Sequence, residues 1–189
     1  MDYKLEIGNY LNLVIDTIKK LDINAINEAM NALEEARLRN ASIYICGNGG
    51  SAATASHFVC DFNKGISENL NQKYNVICLN DNVPIMMAIA NDLGYDRIFE
   101  LQLQGKLTSS DLLIAISGSG NSSNIIKAVQ YSKSVGASVM AITGYSGGVI
   151  DGLADYHLHV PIDNMQITED IHMIFDHLIM WILSNKKNI

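Results

Sequence analysis

The residues best suited to chemistry lie in a short loop, Ser117-Gly-Ser-Gly-Asn-Ser-Ser123. It carries hydroxyls at 117, 119, 122 and 123, glycines at 118 and 120, and neither an acid nor a bulky side chain. Small residues let the backbone close on a ligand. Hydroxyls donate hydrogen bonds, and a helix starting behind the loop offers unpaired N–H groups and a partial positive charge. That is what a phosphate monoester requires. A plain strand-to-helix turn with a serine cap accounts for one hydroxyl, not four. A second cluster is Gly47-Asn-Gly-Gly-Ser51, followed by His57 and Asp61, which are four apart and share a helix face. Near the end of the chain, His172 and Asp176 share a face in the same way, and His172 is expected to make a structural hydrogen bond.

Positioning these groups takes a scaffold that the apolar pattern outlines. Residues 5–21 and 24–39 read as two helices, with Lys19 and Lys20 closing the first, Asp22 capping the second and Asn40 stopping it. Ser42–Cys46, Tyr74–Leu79, Leu112–Ile116, Ser138–Thr143 and Tyr156–Val160 read as strands. Helices are expected over 83–91, with Pro84 in the first turn, over 96–104, after Ser123, and over 167–183, capped by Thr168. Ser51 is the expected cap of the helix carrying His57. A polar tail, 184–188, follows. Strands alternating with helices call for a parallel, doubly wound sheet, whose ligands bind beyond the carboxyl ends of the strands. The polar loops 47–51, 80–82 and 117–123 all fall there.

Composition narrows the function classes. The 189 residues are 48% hydrophobic and 17% charged with 2 prolines, which suits one folded domain. A net charge of −7 argues against nucleic acid as a partner, since that needs a basic face. No stretch is apolar enough to span a membrane, and the N-terminus has no basic region followed by an apolar run. Three cysteines, Cys46, Cys60 and Cys78, have no CxxC spacing and fit buried thiols in a reducing cytoplasm. The eight methionines read as core filler. His157 and His159 read as surface groups on one strand face, and Trp181 as a subunit-contact residue.

Gly47-Asn-Gly-Gly-Ser51, His57, Ala90-Asn-Asp92 with Gly94-Tyr95, Ser117-x-Ser-Gly-Asn-Ser122, and Glu169-Asp-Ile-His172 with His177 together resemble phosphoheptose isomerases of the sugar isomerase (SIS) domain superfamily. The resemblance covers nearly the whole chain. It implies a single SIS domain over 1–189: a flavodoxin-like, doubly wound, five-stranded parallel sheet with helices on both faces, preceded by an N-terminal helical pair (1–40). It also implies a homotetramer with sites between subunits. The implied reaction interconverts sedoheptulose 7-phosphate and an aldose heptose phosphate. Carried over by position, Asn48, Gly49, Gly50 and Ser51 lie against the sugar phosphate. Ser117, Gly118, Ser119 and Ser122 hold the phosphate, and Asn91, Asp92 and Glu169 lie near the substrate.

The reaction moves a proton between adjacent carbons through an enediol and needs a second group for the hydroxyl proton. Asp61 is the expected base and His177 its acid partner, with Asn48 or His57 polarising the carbonyl. His57, Asp61, Glu169 and His177 also form an acceptable zinc donor set. Glu169 and His177 are about 12 Å apart along a straight helix, so both reach one ion only from different turns or subunits. No organic cofactor is expected. The chain departs from the family pattern at three points. Asp61 stands for a glutamate, Asn63-Lys64-Gly65 for Thr-Gly-Arg, and Ile167-Thr-Glu-Asp-Ile-His172 for Arg-Ile-Gln-Glu-Val-His. These departures keep two other readings open: an isomerase for another sugar phosphate, and a non-catalytic phosphosugar-binding adaptor or regulator.

Overall fold

The computed structural model describes residues 1–185; the last part of the expected polar tail lies outside the described residues. Five parallel strands form one sheet in the order β2-β1-β3-β4-β5. They are β1 (Ile43–Gly47), β2 (Val76–Cys78), β3 (Leu112–Ser117), β4 (Ser138–Thr143) and β5 (Tyr156–His159). This is the flavodoxin-like order, with its switch point between β1 and β3. Their register aligns Gly47 with Ile116 and Ser117 with Thr143, so the glycine-rich and serine-rich loops leave the sheet side by side.

The strands alternate across the pleat, and this period of two sorts the core into two layers. Ile43, Ile45, Leu112, Ile114, Met140 and Ile142 face α2 (Ile23–Leu38), α3 (Gly50–Cys60) and α8 (Met165–Asn185). Tyr44, Cys46, Leu113, Ala115, Val139 and Ala141 face α6 (Ser123–Val135), joined there by Ile98, Phe99 and Leu103. The remaining helices are α1 (Lys4–Ile18), α4 (Val83–Leu93), α5 (Glu100–Leu103) and α7 (Gly148–Asp151).

Several local expectations hold. Asp22 Oδ1 accepts from the N–H groups of Asn24 and Ala25, Asn40 is left-handed at φ 57°, and Pro84 lies in the first turn of α4. Others are corrected. Lys19 and Lys20 fall beyond α1, which ends at Ile18. The span 96–104 is a 3₁₀ turn, Tyr95–Arg97, followed by the short α5, because Ile98 and Phe99 turn into the core between them. Helix α8 starts at Met165, and Asn164, not Thr168, caps it by accepting from Ile167 N–H. Thr168 is buried instead, packed where a Cβ on Gly144 would stand. Cys60 is exposed, while Cys46 and Cys78 are buried. His157 and His159 are part-buried, beside Asp151 and Thr143 respectively.

Among the described residues, two helices lack a covering layer. In α1 only Thr17 is buried, and Leu5, Ile7, Leu11 and Ile15 are exposed. In α4 nothing is buried, and Val83, Ile85, Met87 and Leu93 face outward. No helix among the described residues is long and apolar enough to cross a membrane.

Candidate active site

The serine loop forms one wall of a cleft of about 140 Å³ lined by Asn48, Ser51, Ser117, Gly118, Ser119, Ser122, Met165 and Glu169. Ser122 is the N-cap of α6, yet its hydroxyl does not cap the helix; it lies 3.4 Å from that of Ser117. Both serines line the cleft, at the N-terminal end of α6. Ser123 is exposed and does not line it. The loop is fixed from behind by Gly144 N–H donating to Gly118 C=O (2.8 Å) and Ile150 N–H donating to Gly120 C=O (3.1 Å).

The opposite wall is the start of α3. Its N-cap is Gly49, at φ 54° and ψ −121°, a conformation that a side chain disfavours. Ser51 is thus inside the helix and not its cap. Asn48 is held by a reciprocal amide pair with buried Asn124 (2.9 and 2.8 Å), and Tyr95 O–H donates to the same Asn48 oxygen at 2.8 Å. The sequence reading missed Asn124, and it named Tyr95 within a motif without giving it a role. Asn124, in the first turn after the serine loop and facing inward, was the available signal.

Helices α3 and α8 run side by side in the same direction. At their N-terminal ends the Glu169 carboxylate lies against Gly50, where a Cβ would meet its Oε2 at 2.5 Å. About two turns further on, His57 meets His177, with the two Nε2 atoms 3.1 Å apart. Asp61 Oδ2 lies 3.6 Å and Asp176 Oδ2 3.9 Å from His57 Nε2. Asp61 opens a π-helical turn, Asp61–Ile66, a distortion frequent at functional sites. His57, Asp61 and His177 therefore meet as expected, but Glu169 does not join them; it lines the serine cleft. Asn91 and Asp92 are exposed on α4, hydrogen-bonded to each other, and do not line that cleft. Lys64 is exposed and pairs with Glu68 at 3.5 Å.

Asp176 was noted in the sequence only as sharing a face with His172. Its carboxyl is fully buried, and neither oxygen has a hydrogen-bond partner among the described residues. Burial, aided by the nearby Asp61 charge, pushes it up to about 8. His172, also fully buried, approaches Thr143 C=O through Nε2 at 3.1 Å, the structural bond expected of it. Burial pushes its imidazole down to about 4.

One ligand atom from each of His57, Asp61, Asp176 and His177 lies within 4.8 Å of the others. Two imidazoles and two carboxylates suit zinc or a similar divalent ion, and buried oxygens with no partner are what such an ion would satisfy.

Comparison with known proteins identifies the family. The SIS domain family model matches residues 8–144. The phosphoheptose isomerase of Aliarcobacter butzleri is 34% identical over 173 residues, 92% of this chain and 89% of that protein. The phosphoheptose isomerase of Bordetella avium is 39% identical over 152 residues, 79% of this chain and 77% of that one. The solved structure of a phosphoheptose isomerase from Francisella tularensis superposes with a TM-score of 0.89 at 28% identity, covering 98% of this chain and 100% of that one. The serine cleft, the asparagine–glycine start of α3 and the paired histidines thus sit in a fold shared along the whole chain, and the protein belongs to the phosphoheptose isomerase family of SIS-domain proteins.

Proposed function

We propose that this protein is an aldose–ketose isomerase acting on sedoheptulose 7-phosphate, giving the aldose heptose 7-phosphate through an enediol. One observation carries the reading. The parallel pair α3 and α8 holds the serine cleft at one end and the His57–Asp61–His177 cluster about 10 Å further along. A phosphate seated by Ser117, Ser119 and Ser122 leaves an extended sugar chain to reach His57, Asp61 and His177. Asn48, Gly49, Gly50, Ser51, Gly118 and Glu169 border the path.

Asp61 carries the proton between the two carbons, and His177 handles the hydroxyl proton. Asn48, oriented by Asn124 and Tyr95, or His57 polarises the carbonyl. Zinc fits His57 and His177 with carboxylate help, and when bound it would supply Lewis-acid polarisation of the sugar oxygens. No step here requires an organic cofactor.

The chain acts as a homo-oligomer, in this reading a tetramer with sites completed between subunits. The support is the two uncovered apolar helices, α1 and α4, together with Trp181, which is 70% exposed. Asn91 and Asp92 lie on the uncovered α4, so they reach a site only across such a contact. The chain functions as one SIS domain over 1–189 in the cytoplasm, where three free cysteines are at home.

The test is a panel of ketose and aldose phosphates in deuterated water, followed by proton NMR at C1 and C2. Exchange with sedoheptulose 7-phosphate is expected. Exchange only with another sugar phosphate redirects the substrate, and exchange with none favours the non-catalytic adaptor.

A further inference from the structure

We propose that Asp176 is a direct ligand of the divalent cation in this site. It takes the place expected for Glu169, so that one chain supplies a two-histidine, two-aspartate set: His57, Asp61, Asp176 and His177. The inference deepens the metal reading given above and rests on it.

Three observations converge. The first is the state of Asp176. Its side chain is 0% exposed and neither oxygen has a hydrogen-bond partner among the described residues. Packing alone would favour an apolar residue there, as at Ile171, Phe175 and Ile179 on the same helix. A carboxyl group buried without a partner is costly. It points at His57 Nε2 from 3.9 Å, too far for a hydrogen bond and suitable for two ligands of one ion.

The second is spacing. Ligands about 2.1 Å from a four-coordinate ion stand roughly 3.4 Å from one another, and such an ion can expand to a fifth ligand, which leaves a position for a sugar oxygen. The three distances radiating from His57 Nε2 are 3.1, 3.6 and 3.9 Å, to His177, Asp61 and Asp176. They bracket that value.

The third is charge. Two carboxylates and two neutral imidazoles carry −2, which a divalent ion neutralises. With Glu169 as the ligand, the buried Asp176 oxygens would stay without a hydrogen-bond partner among the described residues. Glu169 is in any case engaged elsewhere, against Gly50 in the serine cleft.

The test uses Co²⁺ with the full chain stripped by a chelator. Affinity is read by competition against a chromophoric chelator, and geometry by the visible cobalt bands. The parent is expected to bind one Co²⁺ per chain. Asp176→Asn is expected to weaken binding by more than about 100-fold, above the cost of losing an outer-shell partner. Its visible bands should change. Glu169→Gln should stay within about threefold of the parent with an unchanged spectrum. Asp176→Cys provides a positive readout: a thiolate-to-cobalt charge-transfer band absent from the parent. The assignment is overturned if Asp176→Asn binds like the parent with the parent spectrum, if Asp176→Cys binds cobalt without the new band, or if the parent binds no cobalt. None of these readouts uses turnover. A parent that exchanges substrate protons but takes no cobalt sinks the ligand assignment alone, and a parent that binds cobalt through Asp176 without exchange sinks the isomerase reading alone.

Discussion

The serine loop owes its position to a contact between glycines, and that contact can be broken by one methyl group. Gly120, at φ 65°, lies so close to the Gly147–Gly148 turn that a Cβ would stand 1.8 Å from the Gly147 carbonyl oxygen and 2.6 Å from its carbon. Gly148 meets the Ser119 and Gly120 backbone as tightly from the other side. These atoms are backbone and cannot swing away. Gly120→Ala therefore combines two costs: about 1–2 kcal/mol for a left-handed alanine, and about 1–3 kcal/mol for forcing the two turns apart. The sum, about 2–5 kcal/mol, lowers the melting temperature of a chain this size by roughly 4–20 °C. Gly105→Ala is the matched control. It has φ 71°, and nothing among the described residues lies within 4 Å of the added methyl, so only the conformational cost applies. Calorimetry of both variants, with phosphosugar titration of the folded fraction, separates the two effects. Gly120→Ala should be the less stable and should also lose ligand affinity, because the turn that holds Ser119 has moved. If the two variants match within about 1 kcal/mol and both keep parental affinity, the glycine contact does not position the loop.

Other predictions follow from the same geometry. Ser122→Ala removes a hydroxyl that caps nothing, so stability should change little while KM for a sugar phosphate rises about tenfold, the effect of one hydrogen bond to a charged group; an unchanged KM would remove Ser122 from the phosphate site. The buried His172 has a folded-state pKa below its unfolded value, about 4 against 6.5. The unfolded chain therefore binds the extra proton first. Its contribution is fully present above pH 6.5 and is lost as pH falls toward 4, by up to about 3 kcal/mol. Denaturant titrations between pH 4 and 7 should show a shallower acid loss in His172→Gln than in the parent; parallel curves would contradict this. Leu11→Lys combined with Met87→Glu should lower the solution mass seen by light scattering, and a parent that is already monomeric would refute the oligomer reading.

Much of the architecture was legible in the chain because it is written in short-range patterns. The sheet strands are β-rich apolar runs bounded by polar loops, and Asp22, Asn40 and Pro84 act on their immediate neighbours. The serine loop was legible for the same reason, since its hydroxyls and glycines are local. What local pattern could not supply was depth and partnership. Thr168 has the chemistry of a cap, but Asn164 captures that role and Thr168 packs on Gly144 instead. The span 96–104 has helical content, but burial of Ile98 and Phe99 breaks it. Asp176 is the most instructive case. The helical period that buries Ile171, Phe175 and Ile179 also buries Asp176, yet its meaning depends on α3 crossing beside it with His57 and Asp61, a pairing set by the tertiary fold. Glu169 was expected at that same point, and the lengthwise separation along α8 sends it to the serine cleft.

The central claim is that a seated phosphate presents the sugar to Asp61. Its most direct test pairs two quantities in one variant: deuterium exchange into sedoheptulose 7-phosphate and equilibrium affinity for the same sugar, both in Asp61→Asn. The account predicts exchange slowed by at least about 100-fold, in the range that loss of a general base produces, with affinity within about threefold of the parent. Exchange within a few fold of the parent would contradict it.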